Sequence, residues 1–84
     1  MKNDNEELEQ IILGCFLIDT KCHTYIKVIS PKMLNSAKHK AILNLMHEMV
    51  ANEIPVDILT LTQYARKIDR LNEIGGSYYL VELT

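Results

Sequence analysis

Three histidines and two cysteines, His23, His39, His47, Cys15 and Cys22, are the side chains of this 84-residue chain best suited to hold a transition metal. A tetrahedral site needs several of them to converge on one point. His39 and His47 would share a helix face but lie about 12 Å apart along it, too far to ligate one ion. Cys22 and His23 are sequence neighbours and would not point the same way on a helix. The spacing therefore favours ordinary core or surface roles, with no metal and no cofactor in this segment. Two cysteines are also too few for a disulfide framework. On one continuous helix about 10.5 Å of rise would separate Cys15 from Cys22, beyond the usual Cα reach of about 4.4 to 6.8 Å, so both are expected as reduced thiols.

Nucleophilic or acid–base catalysis would need a serine or cysteine beside a base, or paired carboxylates, inside a cleft. Glu6, Glu7 and Glu9 read instead as the acidic first turn of a helix, where they complement the positive end of its dipole. Gly14, Gly75 and Gly76 precede no Gly-Lys-Ser/Thr step, so no phosphate-binding loop is present. No catalytic residue is assigned. Nine Lys plus Arg against eleven Asp plus Glu give a formal net charge of −2, which argues against a free-standing module that grips nucleic acid by neutralising phosphates. The alternative to a protein-contact domain is a small helix-turn-helix-like DNA-binding module that reads through Arg66, Lys67 and Arg70. Against it, basic residues in a last helical turn commonly serve the helix dipole. No apolar run approaches the roughly 18 residues of a membrane span, and Met1-Lys2-Asn3-Asp4-Asn5 lacks the order of a signal peptide. A cytoplasmic protein without membrane contact is the expectation.

The elements that must carry these residues are helical. Asp4 and Glu7 can form a capping box, after which Leu8, Ile11, Ile12, Cys15 and Phe16 recur at helical spacing over about residues 5–18. Gly14 inside that helix costs roughly 1 kcal/mol against alanine, which suggests a backbone or bulky side chain packed close to it. Asp19-Thr20 can end this helix and cap a shorter one, to which Tyr25, Ile26, Val28 and Ile29 bring apolar contacts. Ser30-Pro31 starts a single turn through Leu34. Ile42, Leu45, Met46, Met49 and Val50 then define one face of a helix over about residues 37–52. Pro55 breaks the chain out of it, and Asp57 caps a further helix with Ile58, Leu61, Ala65 and Ile68 on one stripe, continued by Leu71. Gly75-Gly76 interrupts the pattern. The closing Ser77–Thr84 run, ambiguous between strand and helix, is assigned to helix because no second strand could pair with it, with Ser77 able to cap. The expected fold is an all-α, compact orthogonal bundle of five or six short helices, a single domain over residues 1–84.

Several pieces, in order, resemble the N-terminal domain of bacterial replicative DNA helicases of the hexameric DnaB type. Glu9-Gln10-Ile11-Ile12-Leu13-Gly14 followed by Leu17-Ile18-Asp19 is similar to that family's opening Glu-x-x-Leu-Gly helix, and Ser30-Pro31 to its Ser-Pro turn. His39-Lys40-Ala41-Ile42-Leu43 resembles its His-Arg-x-Ile-Phe segment, and Pro55-Val56-Asp57-x-x-Thr60-Leu61 its Pro-Ile/Val-Asp-x-x-Thr-Leu/Val segment. Gly75-Gly76-Ser77-Tyr78-Tyr79-Leu80-Val81-Glu82-Leu83 is similar to Gly-Gly-x-x-Tyr-Leu-x-Glu-Leu. Lys32, Met33, Leu34 and Asn35 depart from the acidic pair and Phe-Tyr usual after the Ser-Pro turn, and Leu43 replaces a common phenylalanine; both changes keep apolar character.

The resemblance implies a helical head in the N-terminal collar of a six-subunit ring, without catalysis of its own. It also implies a following helical hairpin and a RecA-like C-terminal domain that binds ATP and magnesium, and makes most of the contact with DNA. Partners would be other helicase subunits and a primase or helicase loader. Gly14, Pro55, Asp57, Thr60, Gly75, Gly76 and Leu80 would be structural signature positions. Tyr78 and Tyr79 are expected to divide labour, one in the core and one at a partner contact, because tyrosine suits such borders.

Overall fold

Short polar side chains start most of the helices of this chain, and proline or glycine set their limits. The computed structural model describes residues 4–84, and side chains from residue 5 onward; the capping box expected of Asp4 with Glu7 lies outside the described residues. Four α-helices, α1 (Asp4–Ile18), α2 (Ala37–Ala51), α3 (Ile58–Lys67) and α4 (Gly76–Leu83), are joined by three 3₁₀ turns, η1 (Thr20–Tyr25) and η2 (Pro31–Met33) between α1 and α2 and η3 (Asn72–Ile74) between α3 and α4. No strand occurs among the described residues, so the ambiguous final run is helical.

Asp19 ends α1 and its side chain accepts the Lys21 amide to start η1. Ser30 does the same for Lys32 ahead of Pro31. At α3 the cap is reciprocal. The Asp57 carboxylate accepts the Thr60 amide at 2.8 Å, and the Thr60 hydroxyl accepts the Asp57 amide at 2.9 Å. That hydroxyl also donates to the Pro55 carbonyl at 2.7 Å. Pro55, Asp57 and Thr60 thus form one hydrogen-bonded corner that satisfies the orphan donors of a new helix. At α4 the outcome differs from the sequence expectation. Ser77 lies inside the helix, and the cap is Gly75, which makes no side-chain bond and turns the chain at φ 92°. The turn needs a left-handed residue without a Cβ, because one at Gly75 would strike the Tyr79 and Lys38 side chains.

Helix α2 is the axle of the core, with Ile42, Leu43, Leu45, Met46 and Met49 all buried. Leu13, Phe16 and Leu17 of α1, Leu61 and Ala65 of α3, Leu80 of α4, Ile74 of η3, and Ile26 and Leu34 at the ends of η1 and η2 pack around it. The expected stripes of α2 and α3 therefore do face inward. That of α1 does not. Leu8, Ile11 and Cys15 are exposed, and the buried face runs instead through Glu9, Leu13, Phe16 and Leu17. Tyr25 and Val28, also expected to supply apolar contacts, are exposed, while Ile26 beside them is buried. The physical reason is that α1 is apolar on two faces, so periodicity alone does not select the inner one.

Helices α1 and α4 meet backbone to backbone. Gly14 is buried, and a Cβ there would run into the Leu83 carbonyl. Gly14→Ala is expected to cost about 1–3 kcal/mol, because a methyl inserted into a closed contact must push α4 away, which outweighs alanine's better helix propensity. A thermal melt reads this as a lowered Tm; an equal or higher Tm would contradict the close approach.

Candidate functional site

The polar residues that could do chemistry converge in one place, but not on an ion. Glu9 of α1 and His39 of α2 are almost entirely buried. The Glu9 carboxylate accepts the Asn35 amide at 2.6 Å, the Ser36 amide at 3.2 Å and His39 Nδ1 at 2.8 Å. His39 Nε2 lies 2.6 Å from the Tyr79 hydroxyl of α4, which accepts Gln10 Nε2 of α1 at 3.2 Å. With Nδ1 donating to the Glu9 carboxylate, Nε2 is left to pair with the Tyr79 hydroxyl, so every group has a partner. Lys38 Nζ caps the face of the Tyr79 ring, 3.6 Å from its centroid.

Each link has a local cause. Asn35 and Ser36 precede α2, so Glu9 places a negative charge on that helix's positive end and satisfies two amides with no intrahelical acceptor. Gly75 lets Tyr79 turn back toward α2, since a Cβ at this position would occupy the space of Tyr79 and Lys38. Burial by itself would push the Glu9 carboxyl up; the Asn35 amide, the His39 ring and the Ser36 amide outweigh it and hold the carboxyl below its ordinary value.

Sequence reasoning missed this network, having assigned Glu9 to an acidic first turn that complements the helix dipole. A signal was available, since Glu9 is in helical register with Leu13 and Phe16, and Glu9, His39 and Tyr79 each open or occupy a family-like segment. The other two histidines tie backbone. His23 Nε2 donates to the Phe16 carbonyl at 2.8 Å, and His47 Nε2 to those of Ile26 and Ile29 at 2.8 and 3.0 Å. No group of three or more potential metal ligands occurs among the described residues. Cys15 and Cys22 are free thiols, but the break at Asp19 sets them on the wall of one groove rather than a helix length apart. Burial pushes the Cys22 thiol up, and the Asp19 carboxylate adds to it.

The outer surface is where apolar area is left over. Leu8, Ile11, Cys15 and Ile18 line the outward face of α1, joined by Tyr25 and Val28 across an apolar groove of about 280 Å³. On α4, Tyr79 is half-buried within the network, whereas Tyr78 is 77% exposed beside Val81. Gly14, Pro55, Asp57, Thr60, Gly75 and the fully buried Leu80 occupy the helix contact, caps and core already described, and Gly76 opens α4. Arg66 and Lys67 end α3 exposed to solvent, while Arg70 is shared between Glu48 at 3.7 Å and Glu73 at 3.8 Å. No described helix is long and apolar enough to cross a membrane.

All-helical across its described residues, the domain turns Glu9, His39 and Tyr79 toward one another and leaves Leu8, Ile11, Cys15 and Ile18 of α1 facing outward. The family model described as the DnaB-like helicase N terminal domain matches residues 1–84, and the chain belongs to that family. It is 30% identical over 79 residues to the replicative DNA helicase DnaB of Rhodothermus marinus, covering 93% of this chain and 8% of that protein. It is 32% identical over 78 residues to the replicative DNA helicase DnaB of Geobacillus stearothermophilus, covering 92% of this chain and 17% of that protein. The chain therefore spans under a fifth of these relatives. Its fold matches the crystal structure of the N-terminal domain of DnaB helicase from Mycobacterium tuberculosis with a TM-score of 0.79 at 22% identity, over 89% of this chain and 53% of that one.

Two outcomes test the network. Glu9→Ala should destabilise by about 3 kcal/mol in urea unfolding, because it removes the acceptor of the part-buried Asn35 and Ser36 amides and of the buried His39 Nδ1. On acidification the sign is fixed by the lowered carboxyl. Its contribution is complete above the ordinary glutamate value of about 4.3 and is lost as pH falls through the lower folded value. The Tm advantage of the wild-type chain over Glu9→Gln should therefore shrink only at acid pH; a constant gap down to unfolding would refute the coupling.

Proposed function

We propose that this chain is the assembly and partner-binding head of a replicative DNA helicase, a single helical domain over residues 1–84 that supports the N-terminal collar of a hexamer and couples it to primase or loader. The observation that carries this reading is the outward apolar face of α1 on a domain whose family match runs from end to end. The head itself performs no chemistry on this reading: Glu9, His39 and Tyr79 hold helices together. ATP and magnesium would act in a separate C-terminal motor domain, which also makes most of the contact with DNA. The setting is cytoplasmic. Tyr78, exposed next to the half-buried Tyr79, belongs to the contact surface on this reading, and Tyr79 to the frame behind it.

A chimera tests it. The matching segment of the Geobacillus stearothermophilus helicase is replaced by this chain and compared with a variant lacking the segment. The chimera is expected to assemble as a ring by native mass spectrometry and to respond to its primase, and the truncated protein to lose one or both. A chimera that folds by circular dichroism yet behaves like the truncation would defeat the assignment.

A further inference from the structure

Cys15 and Cys22 would lie about two turns apart on a continuous helix, yet the fold brings them together. Asp19 leaves helical geometry at φ −114° and ψ 110°, and hydrogen bonds hold the turn that follows against the end of α1. The Asp19 amide donates to the Cys15 carbonyl at 2.8 Å, and the Cys22 amide to the Asp19 carbonyl at 3.0 Å. His23 Nε2 donates to the Phe16 carbonyl at 2.8 Å, so Cys15 and Phe16 on α1 stand against Cys22 and His23 on η1. Both cysteines line one apolar groove with Ile12, Phe16 and Ile29, Cys15 exposed and Cys22 half-buried. Their thiols also meet directly. Burial first, then the Asp19 carboxylate and the Cys15 thiol within hydrogen-bonding reach, push the Cys22 thiol up.

We infer that Cys15 and Cys22 form a redox-active dithiol, a modification site that closes to an intramolecular disulfide on meeting a low-molecular-weight disulfide and reopens under a thiol reductant. Two thiols fall short of the four ligands of a structural zinc site, but a sulfur–sulfur bond needs only two. Cys15, the exposed member, attacks first as its thiolate. Its sulfur bonds to one sulfur of the oxidant, the S–S bond of the oxidant breaks, and one thiolate leaves and takes up a proton. Cys22 then gives its proton to solvent and attacks the Cys15 sulfur. The mixed disulfide breaks, the Cys15–Cys22 bond forms, and the second thiolate departs and is protonated. Two electrons and two protons have left the pair, and the oxidant leaves as two thiols. Because the Cys22 thiol is pushed up, the second step is the slower one, and the mixed disulfide on Cys15 accumulates before closure.

Closure fastens η1 to α1 across the groove and leaves the Glu9, His39 and Tyr79 network as it is, since none of the three lines that groove. In a reducing compartment the pair rests as thiols and closes only as oxidant rises, in the manner of a transient redox sensor rather than a permanent staple. Cys15 also stands in the outward line of Leu8, Ile11 and Ile18, so closure modifies the face that the assembly reading gives to partners. The chemistry is internal to one chain and does not depend on that reading.

The test equilibrates the dilute 84-residue chain in buffers of reduced and oxidised glutathione, once folded and once in concentrated urea, traps the thiols by alkylation and reads them by mass spectrometry. The folded chain should lose about 2 Da, two hydrogens, on closure. Cleavage after Lys21 separates the cysteines, so the bridge should join residues 3–21 to residues 22–27. The equilibrium constant for closure should be about ten-fold or more higher in the folded chain than in urea, because the fold and not the sequence spacing holds the thiols together. At early times the wild-type chain should carry glutathione on Cys15, and Cys22→Ser should stop at that adduct, about 305 Da heavier, with an unchanged helical spectrum. A constant no higher folded than unfolded, disulfides that join two chains in place of closing one, or a first adduct on Cys22 would overturn the inference. The helicase chimera has no part in this readout, so a failure of either test leaves the other reading standing.

Discussion

A buried carboxylate is the constraint on which the rest of this fold turns. Glu9 is taken out of water, where an unpaired charge would be costly, and is tolerable there only because two amides and a histidine meet it. Those partners belong to the start of α2, and the histidine passes the demand on to Tyr79 of α4. Apolar packing is non-directional and would accept α1 at several rotations about its axis. The carboxylate accepts one, since turning α1 away from α2 would leave Glu9, the Asn35 and Ser36 amides and His39 without partners together.

Fixing that rotation also decides what the outside looks like. With Glu9 inward, the neighbouring positions Leu13, Phe16 and Leu17 go to the core, and Leu8, Ile11, Cys15 and Ile18 face solvent. The interior network and the exposed apolar face of α1 are therefore two consequences of one orientation. A domain of this size has a modest core and cannot cover all its apolar side chains from within. Leu8, Ile11, Cys15 and Ile18 among the uncovered ones share one face of α1, while Met33, Leu59, Tyr78 and Val81 are exposed elsewhere on the surface.

How much of this was legible depended on whether a residue's role was written in local pattern. Helices α2 and α3 have one apolar face each, and Ile42, Met46 and Met49, like Leu61 and Ala65, are buried as their period indicates. The break at Pro55 and the cap at Asp57 were readable because caps are local chemistry, whereas Thr60 entered only through the family resemblance. In α1 the pattern was degenerate, with apolar residues on both faces, and the deciding residue was a glutamate that hydropathy assigns to water. Its burial follows from partners 26 to 30 residues away, which no window over the sequence contains. The N-terminus of α4 was misplaced for a related reason. Ser77 has the better capping side chain, but the room needed by Tyr79 and Lys38 sets the turn at Gly75.

The tyrosine, histidine and glutamate are linked at 2.6 and 2.8 Å in the order of a nucleophile, a base and its orienting carboxylate. What separates this arrangement from catalysis is where its bonding capacity goes. The Tyr79 oxygen is engaged by His39 Nε2 and accepts from Gln10, and Lys38 lies over the ring face. The histidine is buried and held on both nitrogens, and the carboxylate is held by backbone amides as well as by the ring. A catalytic hydroxyl has to be aimed at a reacting atom, with its base free to take up and return a proton. Here the same three side chains are aimed at one another from three helices, so the strength of the chain appears as rigidity between α1, α2 and α4. That rigidity also holds Leu8, Ile11, Cys15 and Ile18 in one fixed line on the outer face of α1, which a helix free to roll on its own core could not do.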